Sequence, residues 1–130
     1  MDATRRQARE RAVELLYEAA VKHEAIESVV AAQGATPDAF TVHLLEITEE
    51  RRTEADAMIE ATAERWPLDR IGLLDRLIME LAIAEMLDGD APSVAVVINE
   101  AVELAKRYST EASGGFINGI LAAVAAKLPN

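Results

Sequence analysis

Residues 71–87 read IGLLDRLIMELAIAEML. Ile71, Leu74, Leu77, Ile78, Leu81, Ala82 and Met86 recur at steps of three and four, the period of a helix. The stripe they make is wide enough that only a helix covered on most sides can bury it. The segment between Pro67 and Leu87 is therefore expected to be the central helix, with the others packed around it. Downstream, Asp88-Gly89-Asp90-Ala91-Pro92 is a turn by composition. Ser93 then caps a helix with an inner face of Val94, Val97, Ile98, Ala101 and Ala105, and Glu103 stands four residues before Arg107 as a possible ion pair. Ser109 to Gly115 reads as a polar connection. A last helix follows, with Ile117, Ile120, Leu121, Val124 and Leu128 inward. Asn118-Gly119 would mark a hairpin between strands, but it lies inside this helical stripe, where Gly119 is expected to permit a close approach.

Working back toward the N-terminus, Met58, Ile59, Ala63 and Trp66 precede Pro67, and a charged stretch from Glu49 to Asp56 separates them from Phe40, Leu44, Leu45 and Ile47. This is one long helix or two. Thr36-Pro37-Asp38 reads as its N-cap, N1 proline and first-turn acid. Ile26, Val29 and Val30 give a short helical piece ending at Gly34. From Thr4 to about His23, Ala8, Ala12, Leu15, Leu16 and Ala19 form the buried face of a first helix.

The chain is thus read as all-α, a single domain over residues 1–130 with six or seven helices. Its length, 130 residues, suits one core. Hydrophobic residues make up 51% but aromatics only 4%, so the core is expected to be Ala, Leu, Ile and Val, the stock of helix packing rather than of strands. Cysteine is absent, which removes disulfides and thiol chemistry and fits a reducing compartment, the cytoplasm by default. Glu10, Glu14 and Glu18 interrupt any signal-peptide core, and no run of about 18 uncharged apolar residues exists to span a membrane.

Charge is distributed unevenly. The formal net charge is −10, yet residues 1–11, with Arg5, Arg6, Arg9 and Arg11 against Asp2 and Glu10, sum to +2 and leave −12 for the rest. Arginine at a helix start opposes the dipole, so another reason is sought. Arg5 and Arg9 lie within about 40° on a helical wheel, and Arg6 falls nearly in line with Tyr17, about 16 Å further along. Cations with a ring on one face suit a single-stranded nucleic acid: charge for phosphates, an aromatic for a base. Three or four phosphate contacts against an acidic remainder make a weak site, so a second, basic protein docked on the acidic surface is expected to help.

No catalytic constellation competes. There is no P-loop, dinucleotide fingerprint or nucleophile elbow. His23 and His43 lack metal-ligand spacing, and no cofactor is expected. Glu49, Glu50, Glu54, Asp56 and Glu60, interleaved with Arg51 and Arg52, read as a solvated helix face.

Two blocks carry a family resemblance. Val97-Ile98-Asn99-Glu100-Ala101-Val102-Glu103-Leu104-Ala105-Lys106 and Ser113-Gly114-Gly115-Phe116-Ile117-Asn118-Gly119-Ile120-Leu121 resemble, in order and spacing, the INEAVELAK and S-x-x-FVNGVL blocks of the NusB family of transcription antitermination factors. The start, Arg5-Arg6-Gln7-Ala8-Arg9-Glu10 leading to Leu16-Tyr17, and the Leu68-Asp69-Arg70 and Leu74-Asp75-Arg76 repeats are similar to that family too. The resemblance implies two packed helical bundles, no catalysis, and recognition of single-stranded boxA-type RNA, notably in ribosomal RNA leaders, jointly with the small-subunit ribosomal protein NusE in the transcription elongation complex. It implies that Arg5, Arg6, Arg9, Tyr17, Asp69, Phe116 and Asn118 face RNA, and that Asp75, Arg76, Glu80 and Glu85 face the partner. Asn99 and Glu100 are also open to a structural reading, fixing helix ends and packing, and Phe116 to partial burial. Gln7, Glu80, Ala84 and Ala112 depart from the residues common in the family. Two alternatives stand beside this reading: a detached domain related to an RNA cytosine methyltransferase, and a self-associating helical protein, a homodimer included.

Overall fold

The central helix, α4 (Leu73–Leu87), is buried at every position from Leu77 to Glu85, because neighbours cover it all round. In the computed structural model, which describes residues 4–128, these neighbours are α1 (Arg5–Lys22), α3 (Ala39–Thr62), α5 (Val94–Tyr108) and α6 (Glu111–Lys127); a short α2 (Ile26–Ala31) packs on α1. The described residues are helical apart from turns and loops, with a 3-10 turn at Leu68–Arg70. Helices α1–α3 form one bundle and α4–α6 the second, and α4 joins them by touching α1, α3, α5 and α6. Asp2, counted above in the charge of residues 1–11, lies outside the described residues, as does Asn130.

The core follows the apolar stripes. Ala8, Ala12, Leu15, Leu16 and Ala19 are buried on α1, as are Ile117, Ile120, Leu121 and Val124 on α6. Helix α1 opens with a reciprocal cap: Thr4 Oγ1 accepts from the Gln7 N–H at 3.0 Å, and Gln7 Oε1 accepts from the Thr4 N–H at 2.9 Å. Gln7 therefore has a structural task that a basic residue could not perform. The helix closes on His23, whose φ of 55° is the left-handed conformation that ends many helices. No helix of the described residues is long and apolar enough to cross a membrane.

Several boundaries differ from expectation. Helix α3 is one helix, charged stretch included, and starts after Asp38, which takes the N-cap position assigned above to Thr36. The Asp38 carboxylate accepts from the Thr41 hydroxyl. Helix α3 also ends at Thr62 rather than at Pro67, leaving Trp66 in the connection. Ser109–Gly115 is not a long loop: Thr110 Oγ1 accepts from the Ser113 N–H at 3.1 Å, so helix α6 begins at Glu111. The close approach expected at Gly119 occurs at Gly114. A Cβ on Gly114 would lie 3.6 Å from Val102 of α5, whereas one on Gly119 would meet nothing within 4 Å. Ser93 caps α5 as expected, accepting from Val96 N–H. Glu103, however, pairs with Lys106 at 3.5 Å, while Arg107 reaches across to Glu10 of α1 at 3.4 Å.

Candidate nucleic-acid interface

The arginines at the head of α1 are close in sequence but diverge in space, because successive residues rotate by about 100° around a helix. Each reaches a different element. Arg5 lies over the ring of Phe40 on α3, 3.8 Å from its centroid. Arg6 donates from Nε to Glu100 on α5 at 3.0 Å. Arg9 donates through Nε and a terminal nitrogen to Glu85 on α4, both at 2.9 Å. Arg11 donates to Gln33, just beyond α2, at 2.5 Å. The cluster is a hub that keys α1 to the rest of the molecule, and only part of it faces solvent.

Arg9 must therefore be removed from the RNA face. Its side chain is 4% exposed and Glu85 is 5% exposed, a buried bidentate pair whose charges are mutually satisfied. The same observation removes Glu85 from the partner surface. Glu80 is likewise no surface residue: it is 1% exposed and accepts from Arg52 of α3 and from Arg76, each at 3.2 Å. Burial, with the Asp56 carboxylate next to it, pushes the Glu80 carboxyl up to about 7 against the opposing pull of both arginines. Arg76 is one-third exposed and also donates to Asp56 at 3.0 Å, which keeps only its edge available to a partner.

What α1 offers to solvent is a stripe: Arg6, Glu10, Glu14 and Tyr17 share one side of the helix. Helix α5 runs beside it, and the two are joined by Arg6–Glu100, Glu10–Arg107 and a hydrogen bond donated by the Tyr108 hydroxyl to Glu14 at 2.7 Å. Tyr17, 41% exposed, continues the stripe. Arg6 and Arg107 remain well exposed despite their partners; the Glu100 carboxylate holds the Arg6 guanidinium, and Tyr108 followed by the Glu10 carboxylate holds that of Arg107, more firmly protonated than usual.

The strip continues past the end of α5 to the start of α6. Ser109 and Ser113 hydroxyls lie 3.0 Å apart, and Ser113 Oγ donates to Asp75 at 2.8 Å. Asp75 thus pins the start of α6 to α4, with its other carboxylate oxygen buried and without a partner. Beyond it opens a cleft of about 240 Å³ lined by Trp66, Arg70, Asp75, Thr110, Ser113 and Phe116. Phe116 is half-buried, edge-to-face with Trp66 at 6.5 Å. Asn118 is exposed, but two positions along the helix it projects about 160° away from Phe116, so the two do not share this cleft. Asp69 lies on the far side of Trp66, in a cleft with Glu60, Glu64 and Arg76 whose net charge is negative.

Sequence reasoning missed Trp66, Arg70, Arg107 and Tyr108 as members of this surface. Trp66 followed an apolar stripe and was read with it; the Trp66-Pro67 pair, which cannot continue a helix easily, was the available signal. Nothing in the spacing of Arg107 foretold a partner on α1. Among the described residues no cluster of three or more His, Cys, Asp or Glu is arranged to hold a metal, and His43 is engaged with Asp88 at 2.8 Å.

Known proteins resemble this chain over almost its whole length. The NusB family model matches residues 6–126. The transcription antitermination protein NusB of Anaeromyxobacter dehalogenans is 38% identical, covering 99% of this chain and 95% of its own length, and that of Thermobifida fusca is 37% identical, covering 98% and 92%. Among solved structures, T. maritima NusB superposes with a TM-score of 0.88 at 31% identity, covering 98% of this chain and 94% of that one. A complex of the antitermination factors NusB and NusE with dsRNA contains a chain with a TM-score of 0.80 at 25% identity, covering 95% and 97%. With the two-bundle fold, the paired sequence blocks and this degree of identity in agreement, the chain belongs to the NusB family of transcription antitermination factors.

Proposed function

We propose that this protein is a non-enzymatic RNA-binding adaptor, which engages boxA-type RNA jointly with NusE and joins the transcription elongation complex during ribosomal RNA transcription. The observation that carries this reading is the fold shared with a NusB that was solved bound to NusE and dsRNA. The polar strip supports it physically. Arg6 and Arg107 offer exposed guanidinium groups to phosphates, and Tyr17 and the Trp66–Phe116 pair offer rings to bases. The acidic remainder explains why a basic partner is needed, since a chain of net charge −10 repels a polyanion everywhere else.

The test is fluorescence anisotropy of a dye-labelled single-stranded boxA RNA, titrated with this protein alone, with NusE alone and with both. Joint binding at least tenfold tighter than either alone, lost with a scrambled RNA, is the expected result. Equal affinity with and without NusE would overturn the adaptor reading.

A further inference from the structure

Trp66 is the chain's single tryptophan, and at 53% exposure it is among the most solvent-exposed large apolar side chains. It stands in the connection between α3 and the 3-10 turn, held by the Trp66 N–H donating to Ala63 O at 2.9 Å, and forms a wall between two clefts. On one side are Glu60, Glu64 and Asp69, with Arg76 already held by Glu80 and Asp56, a surface whose net negative charge repels phosphate. On the other are Arg70, the hydroxyls of Thr110 and Ser113, and the ring of Phe116. Arg70 is exposed and makes no ion pair among the described residues. Asp75, the one acid on this side, is turned to Ser113. In an edge-to-face pair one ring lends only its edge, and the exposure of Trp66 leaves indole surface open to solvent.

We infer that the Trp66–Arg70 cleft seats one unpaired nucleobase of the RNA, stacked on the indole, with the adjoining phosphate held by Arg70. This rests on the RNA-binding function proposed above and extends the strip past the α5–α6 turn to the connection between α3 and α4. A nucleobase with its phosphate fits the site better than a protein side chain: a cation without an acidic partner beside a half-exposed indole is what backbone phosphate and a stacked base require together. The base sits on the Arg70 side because the cleft on the other side of Trp66 sets three carboxylates against one guanidinium, Arg76, which is already paired with Asp56 and Glu80.

The experiment places 5-fluorotryptophan in this chain, giving one 19F resonance that reports Trp66 even with NusE present. Anisotropy of labelled RNA is read in parallel. Single-stranded boxA RNA should shift the resonance, and one abasic position along that RNA should cancel the shift. Trp66→Ala should weaken binding about tenfold, within the range for loss of one stacked base, and Arg70→Ala should reduce the salt slope by about 0.7. Thermal unfolding confirms that Trp66→Ala folds; should it fail, the exposed Arg70→Ala and the resonance of the unmutated chain decide alone. RNA bound with an unmoved resonance and an unchanged Arg70→Ala slope would overturn the inference while leaving the RNA-binding function intact. Movement on adding NusE without RNA would overturn it in favour of a protein contact, and an equal shift with fully duplex RNA would overturn the unpaired base. No binding of any RNA, with or without NusE, would overturn both readings.

Discussion

At Arg9 the guanidinium and the Glu85 carboxylate meet away from water at 2.9 Å twice over. Removing one partner leaves the other charged and buried, so Arg9→Ala should cost about 3–5 kcal/mol in urea denaturation, while Arg9→Met with Glu85→Leu should come out near neutral or more stable. The double variant should also bind RNA as the unmutated protein does, because each side chain is all but buried and spent on the other; a large loss in the double variant would return Arg9 to the interface. Glu80 carries a pH dependence of definite sign. Its folded-state carboxyl lies near 7, above the ordinary value of about 4.3, so between those values the unfolded chain has released a proton that the folded one still holds. Stability from this group is therefore full below about pH 4, falls as pH rises and levels off above about 7. Denaturation midpoints of the unmutated chain and Glu80→Gln, compared from pH 4.5 to 8, should diverge in that direction, with the unmutated chain losing ground to the Gln variant as pH rises.

At the scale of helices, legibility depended on period and failed on termini and partners. The stripe of Leu77, Ile78, Leu81 and Ala82 fixed α4 because a repeat over many residues averages out any single exception. Helix ends turn on one or two residues, and Thr36 and Asp38 are both good caps, so spacing alone could not choose between them. Glycines were ambiguous for a related reason: a helix tolerates Gly either because a neighbour comes close or because nothing is near, and Gly114 and Gly119 illustrate the two cases. Of the candidate site, the outward projection of Arg6 and Tyr17 was legible. It was hidden where the decisive contact spans 76 residues, as from Arg9 to Glu85. Since a Cβ at position 119 meets nothing within 4 Å, Gly119→Ala should raise stability by about 0.5–1 kcal/mol, through helix propensity alone. His23, at φ 55°, should gain by a similar route: His23→Gly relieves the left-handed backbone and should raise the thermal midpoint measured by circular dichroism, whereas His23→Ala should not.

For the molecule as a whole, the governing fact is that a net charge of −10 is carried by a protein proposed to hold RNA. The strip provides Arg6, Arg107 and Arg70 as outward cations, and Arg6 and Arg107 are already shared with Glu100 and Glu10. Each phosphate they neutralise contributes about −0.7 to the slope of log affinity against log salt for a single strand, so with the exposed Arg5 as a fourth contact this protein alone should show a slope no steeper than about −3. A basic partner seated on the acidic surface would add phosphate contacts of its own and remove part of the repulsion, and both effects become stronger as salt is lowered. The slope measured with NusE should therefore be steeper than the slope without it, and the gain in affinity from NusE should shrink as salt rises from 50 to 300 mM. Anisotropy titrations at four salt concentrations separate this from a purely organising role: a partner that merely reshapes the RNA surface would shift the affinity by a constant factor and leave the two slopes parallel.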